Sequence, residues 1–225
     1  MERSKIKMRI KNLYLSVISF VLAILVFVTS GVLIKNDGHG MGIAAIFVGL
    51  AIIAVAVLAL LNFIFGKKDN FILIPLLALF VTLMVFSTVV TLSSSSSSTT
   101  SDDTTILQLM IFALSVVSLV FATRNKKWAS ICGLVVVLLT IYSSAALIIT
   151  SWGKIIEINQ AATSPSESAT LAYRMSACLA LIPFMGNLIF LFYYIFNLVF
   201  GLKKEEAKEQ PKSIETTTEE VTNEQ

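Results

Sequence analysis

The chain has 225 residues, 56% of them hydrophobic and only 14% charged, with a formal net charge of +3. Soluble domains carry about 25% charged residues, so the composition excludes an ordinary water-soluble globule and points to the bilayer. A single histidine also excludes a zinc site built on histidines.

Residues 1–12 form a basic N-terminal segment with Arg3, Lys5, Lys7, Arg9 and Lys11. The first uncharged run follows at 13–34. Crossing the hydrocarbon core takes about 20 apolar residues at about 1.5 Å each. Every backbone group must find an internal partner in lipid, so each such run is expected to be an α-helix. This first run is longer than the roughly 7–15 residues of a signal-peptide core and reads as a span.

KNDGHG, 35–40, reads as a tight polar turn. The second span is 41–66, closed by Lys67 and Lys68. The third is 71–92, with Pro75 in its first turn, where a proline costs little. The link SSSSSSTTSDD reads as a flexible, solvated connection. The fourth span is 105–123, followed by the basic link RNKK at 124–127. The fifth is 128–150, and the segment 151–170 is expected to be an outward-facing connection.

The last apolar run, 171–202, would be about 48 Å long as a straight helix, against a core of about 30 Å. Pro183 and Gly186 therefore predict a kink at IPFMGN. The other solution is an outer section over 171–180 that leaves the membrane, so the sixth span is set at 179–202. Arg174 would then snorkel at the interface. The remainder, 203–225, is charged and Thr-rich and is expected to be a disordered cytoplasmic tail.

Lysine and arginine favour the cytoplasmic side of short membrane loops. Fourteen of the seventeen cations fall in the N-terminus, the second link, RNKK and the tail. Lys35, Lys154 and Arg174 alone fall in the alternate links. RNKK thus reads as a cytoplasmic link, with both termini on the same side. Trp128 and Trp152 bracket the fifth span about 36 Å apart, as interfacial aromatics should, and Tyr14 opens the first. The expected fold class is all-α: a polytopic membrane protein of six transmembrane helices forming three antiparallel hairpins, 8–68, 71–127 and 128–204. The hairpins end alike, in LNFIFGKK, VSLVFATRNKK and FNLVFGLKK. Spans leaving toward the cytoplasm converge on that composition, so the likeness is read as convergence rather than repetition. Cys132 and Cys178 fall near opposite ends of their spans, beyond the roughly 7 Å Cα limit of a disulfide, and are expected to be free thiols.

Helices in lipid associate through small residues and interhelical hydrogen bonds. Each span but the third carries a clear stripe of them. Span two has Gly42, Ala45, Gly49 and Ala56, a candidate helix-packing face. Span six has Asn187, Tyr194 and Asn197 on one face, and span four has Gln108; together these are the candidate ligand-lining residues of a polar cavity. Simple helix packing accounts for the same stripes.

The spans contain no Asp, Glu, Lys or His. Ion-coupled pumps and proton relays usually place such a group in the membrane, and a histidine base or metal site has nothing to build on. His39 belongs to a turn. No phosphate loop or dinucleotide fingerprint occurs. Nothing implies a cofactor, a metal or nucleic acid, and the expected partner is the lipid bilayer. The absence of any Asn-X-Ser/Thr sequon fits a bacterial origin. Two functions remain. One is a non-catalytic membrane subunit or scaffold that binds other membrane subunits or itself, through the Gly/Ala face of span two and the two tails. The other is a transport subunit that captures a neutral or amphipathic solute. In size and span number the chain is similar to the substrate-capturing subunits of energy-coupling-factor vitamin transporters. Their first span carries an Ala-x-x-x-Ala pattern, however, and here that span has the single alanine Ala23. An enzyme using Glu157 or Glu167 in the outer segment has no further residues in support.

Overall fold

The computed structural model describes residues 2–36, 38–65, 69–94, 102–124, 127–161 and 167–206. It gives side-chain surroundings for 9–36, 38–65, 71–90, 110–124, 127–160 and 170–199. Six α-helices follow in order: α1 (Glu2–Lys35), α2 (His39–Phe65), α3 (Leu73–Ser94), α4 (Asp102–Thr123), α5 (Lys127–Ala161) and α6 (Glu167–Glu206). A short 3₁₀ turn, Asp69–Ile72, leads into α3. The described residues contain no strand. Five helices are long and apolar enough to cross a membrane; the described apolar part of α4 is Met110–Thr123.

Three helices outrun their apolar cores. α1 extends back to Glu2 through the basic segment, whose Arg, Lys, Met and Ile residues propagate a helix well. α5 continues past Thr150 to Ala161, so the first half of the segment expected to be a connection is helical. Its sequence SWGKIIEINQA holds no proline, and Lys154 and Glu157 form a 2.7 Å ion pair one turn apart. α6 spans 40 residues and runs through Pro183 and Gly186 without interruption. The residues 95–101 of the serine link, Lys67, Lys68 and Lys126, and the tail beyond Glu206 lie outside the described residues.

α1 and α2 lie antiparallel. The Ser16 hydroxyl donates to the Ala56 carbonyl at 2.8 Å, and a Cβ on Gly49 would stand 3.0 Å from the Phe27 ring. Their turn is closed by the Gly38 N–H, which donates to the Leu33 carbonyl at 2.9 Å and so satisfies one of the orphan acceptors at the end of α1. α5 and α6 form the second close pair. Gly133 lies under the Tyr194 ring, and Ser151 donates to Ser176 at 3.3 Å. These two contacts define one antiparallel register along the whole pair.

α6 also organises its other neighbours. A Cβ on Gly186 would lie 2.7 Å from a Leu83 methyl of α3, and Phe190 meets Phe80 edge-on at 5.9 Å. Phe80 in turn stacks on Phe112 of α4 at 5.3 Å, and Phe121 of α4 leans on Trp128 of α5 at 5.5 Å. Leu15, Val26, Ile52, Leu76, Leu79, Phe86, Ile182 and Ile189 fill the resulting core. Both cysteines are free thiols. The α5–α6 register sets Cys178 level with residue 149, about 25 Å along the helix from Cys132, which is why no bridge forms.

Candidate functional site

The small and polar stripes are largely consumed by helix packing. Gly42, Ala45, Gly49 and Ala56 are all buried. Gly42 faces Ile34 and Gly49 faces Phe27, so α1 occupies at least this part of the α2 face. On α6 the Asn187 amide donates to the Pro183 carbonyl of its own helix at 2.8 Å, the carbonyl whose usual amide partner lies one turn on. Tyr194 is buried on Gly133. Gly186 faces Leu83 of α3. The side chain of Gln108 lies outside the described residues.

Asn197 belongs to a polar node at the end of the bundle that carries the start of α1. The Lys11 ammonium donates to the Asn197 Oδ1 and stands 5.0 Å from the centroid of the Tyr193 ring, within reach of a cation–π attraction. The Asn197 amide donates to the Ala122 carbonyl of α4 at 3.4 Å. Lys11 is only 6% exposed, so one cation ties α1 to α6, and through Asn197 to α4. The sequence reading grouped Lys11 with the topogenic charges and missed this role. The buried stripe 33, 30, 26, 23, 19, 16, 12 of α1 could have signalled it, because it extends past the apolar run to this level. Close by in sequence, the Asn12 Oδ1 is buried without a hydrogen-bond partner among the described residues, as are both amide atoms of Asn62.

An open space lies toward the other end. It is a cleft of about 800 Å³ between the second halves of α3 and α5 and the first half of α6, with Met41 of α2 at its edge. Phe86 and Val90 form the α3 wall, and Leu179, Ala180 and Pro183 the α6 wall. Ser143, Ser144, Ala146, Leu147 and Thr150 line it from α5, and Ser176 adds a hydroxyl from α6. Among the described residues no charged side chain lines it. Pro183 is the one candidate site residue on its wall; Asn187, Tyr194 and Asn197 lie elsewhere. Its size falls within the roughly 300–1,000 Å³ of ligand sites, and its lining of hydrocarbon with scattered hydroxyls suits an uncharged, amphipathic surface.

Among the described residues no three His, Cys, Asp or Glu side chains gather as a metal site would require. No family model, no curated protein and no solved structure matches the chain.

Proposed function

We propose that this is a non-catalytic integral membrane protein that holds a neutral or amphipathic molecule in the cleft between α3, α5 and α6. The cleft carries this reading: a space of about 800 Å³ lined by hydroxyls and hydrocarbon, with no charge among the described residues of its walls. A packing fault would be expected to close, because helices in lipid gain their stability from close contact. The proposed setting is the plasma membrane, crossed six times in three hairpins with both termini cytoplasmic. The support is the cation bias toward alternate connections. In that orientation the cleft opens in the outer leaflet.

A second reading, an assembly subunit, is favoured by one observation on α5. Tyr142 is 74% exposed, and lies about 21 Å along the helix from Trp128, near mid-membrane. A phenol there faces hydrocarbon unless a partner helix accepts its proton. With Gly42 and Gly49 packed against α1, a partner would dock on this α5 face rather than on α2.

Affinity purification in mild detergent, followed by mass spectrometry of proteins and small molecules, tests both readings. A retained small molecule lost on Ala146→Trp supports the cleft. A stoichiometric protein partner lost on Tyr142→Leu, with no small molecule retained, supports assembly and overturns the cleft reading.

A further inference from the structure

The stripe of α5 that lines the cleft does not stop at Thr150. Positions 143, 147, 150, 154 and 157 follow one another at spacings of four and three, which keeps them on one helix face. The last two are Lys154 and Glu157, joined by an ion pair of 2.7 Å. The Ser151–Ser176 contact sets Lys154 level with Tyr173, one turn past Thr150 and beside Ala172 of the cleft's α6 lining. A cation and an anion therefore stand together at its mouth, on the same face as its hydroxyl-bearing wall.

We propose that the occupant is a zwitterionic phospholipid, an assignment that rests on the cleft reading above. Three observations converge on it. The mouth offers both charges, so a phosphate can meet Lys154 while an ammonium meets Glu157. The two side chains are 55% and 66% exposed, and such a surface pair holds its partners weakly, so a headgroup can insert at little cost. The distance fits as well: Ser143 to Lys154 spans about 16 Å, close to the half-thickness of a hydrocarbon core of about 30 Å. An acyl chain anchored at Lys154 would reach the floor near Ser143 and Pro183. Ser176 accepts a hydrogen bond from Ser151, which leaves its own proton to donate to an ester carbonyl at the level just below the headgroup. An anionic lipid without an amine would bring its charge against Glu157 instead.

The test uses the full chain in nanodiscs of equal parts phosphatidylethanolamine and phosphatidylglycerol with identical acyl chains. Lipid retained after delipidation is measured by native mass spectrometry. Phosphatidylethanolamine is expected to be enriched about fivefold, as two exposed charge contacts allow. Glu157→Ala should abolish the preference, Lys154→Ala should lower the retention of both lipids, and the exchange K154E/E157K should keep the preference. Both positions are exposed, so these variants leave the core intact. Retention without headgroup preference, lost on Ala146→Trp, would overturn the zwitterion assignment and leave the cleft reading standing. No retained lipid or other small molecule in the unaltered protein would overturn both. A preference that survives Glu157→Ala, or a retention that Lys154→Ala leaves unchanged, would overturn the role given to the pair.

Discussion

The Tyr194 ring of α6 rests on the backbone of Gly133 of α5, so closely that any side chain at Gly133 would occupy the ring's own volume. A large residue and the smallest one share a layer, and the two helices approach as GxxxG-type contacts do. Gly133→Leu should cost about 1–3 kcal/mol by overpacking, a fall of roughly 2–4 °C in Tm per kcal/mol for a chain this long. Gly153 is the contrast, with nothing within 4 Å of a Cβ built on it. Gly153→Ala should raise Tm, by up to about 1 kcal/mol of helix propensity. Thermal unfolding in detergent reads both, and equal shifts would contradict the contact.

Lys11 and Asn197 are expected to be energetically coupled. Removing the acceptor leaves a buried ammonium short of one hydrogen bond, and bonds to charged groups are worth about 1.5–3 kcal/mol. A double-mutant cycle with Lys11→Met and Asn197→Leu should return an interaction of roughly 0.5–3 kcal/mol. Strict additivity of the two losses would show that the bond is absent in the membrane.

Asn62 is 1% exposed and neither amide atom has a partner. A buried polar group without a hydrogen bond carries a penalty of about 1–3 kcal/mol. Asn62→Leu, close in shape, should therefore leave Tm unchanged or raise it. A marked fall would mean that the amide bridges to a group such as an internal water.

The two thiols should remain independent. Protein purified without reductant and denatured in SDS should take up two maleimide labels, one at Cys132 and one at Cys178. Fewer than two would contradict the separation along α5 and α6.

The proposed orientation has its own measurement. In a cysteine-free background, a membrane-impermeant maleimide applied to intact cells should label Ser97→Cys and spare Lys126→Cys. The reverse pattern would turn the molecule over and move the cleft to the inner leaflet.

How much of this was legible in the residues varies with the kind of interaction. Helices at all six apolar runs follow from local chemistry, since long uncharged stretches in lipid have no other way to satisfy their backbone. Helix ends were less legible. At 151–161 and 2–12 the apolar signal stops, while helix propensity and the Lys154–Glu157 pair carry the helix on. The surroundings of the candidate site residues were less legible for a similar reason. Asn187, Tyr194 and Asn197 share a face, which periodicity reveals, but a shared face does not show whether a neighbour fills the space before it.

By itself the amino-acid order determined the class: an all-helical chain with apolar stretches of membrane-spanning length, cations gathered between and beyond those stretches, and small residues aligned on faces. These depend on length, hydropathy and period, which are properties of each segment alone. Only the tertiary structure decided what each face meets. It packed Gly42 and Gly49 against α1, drew Lys11 into the bundle, and left open a cleft between α3, α5 and α6 whose lining no single helix announces. Close packing joins residues far apart in sequence, and which side chains interlock depends on volumes supplied by several helices at once.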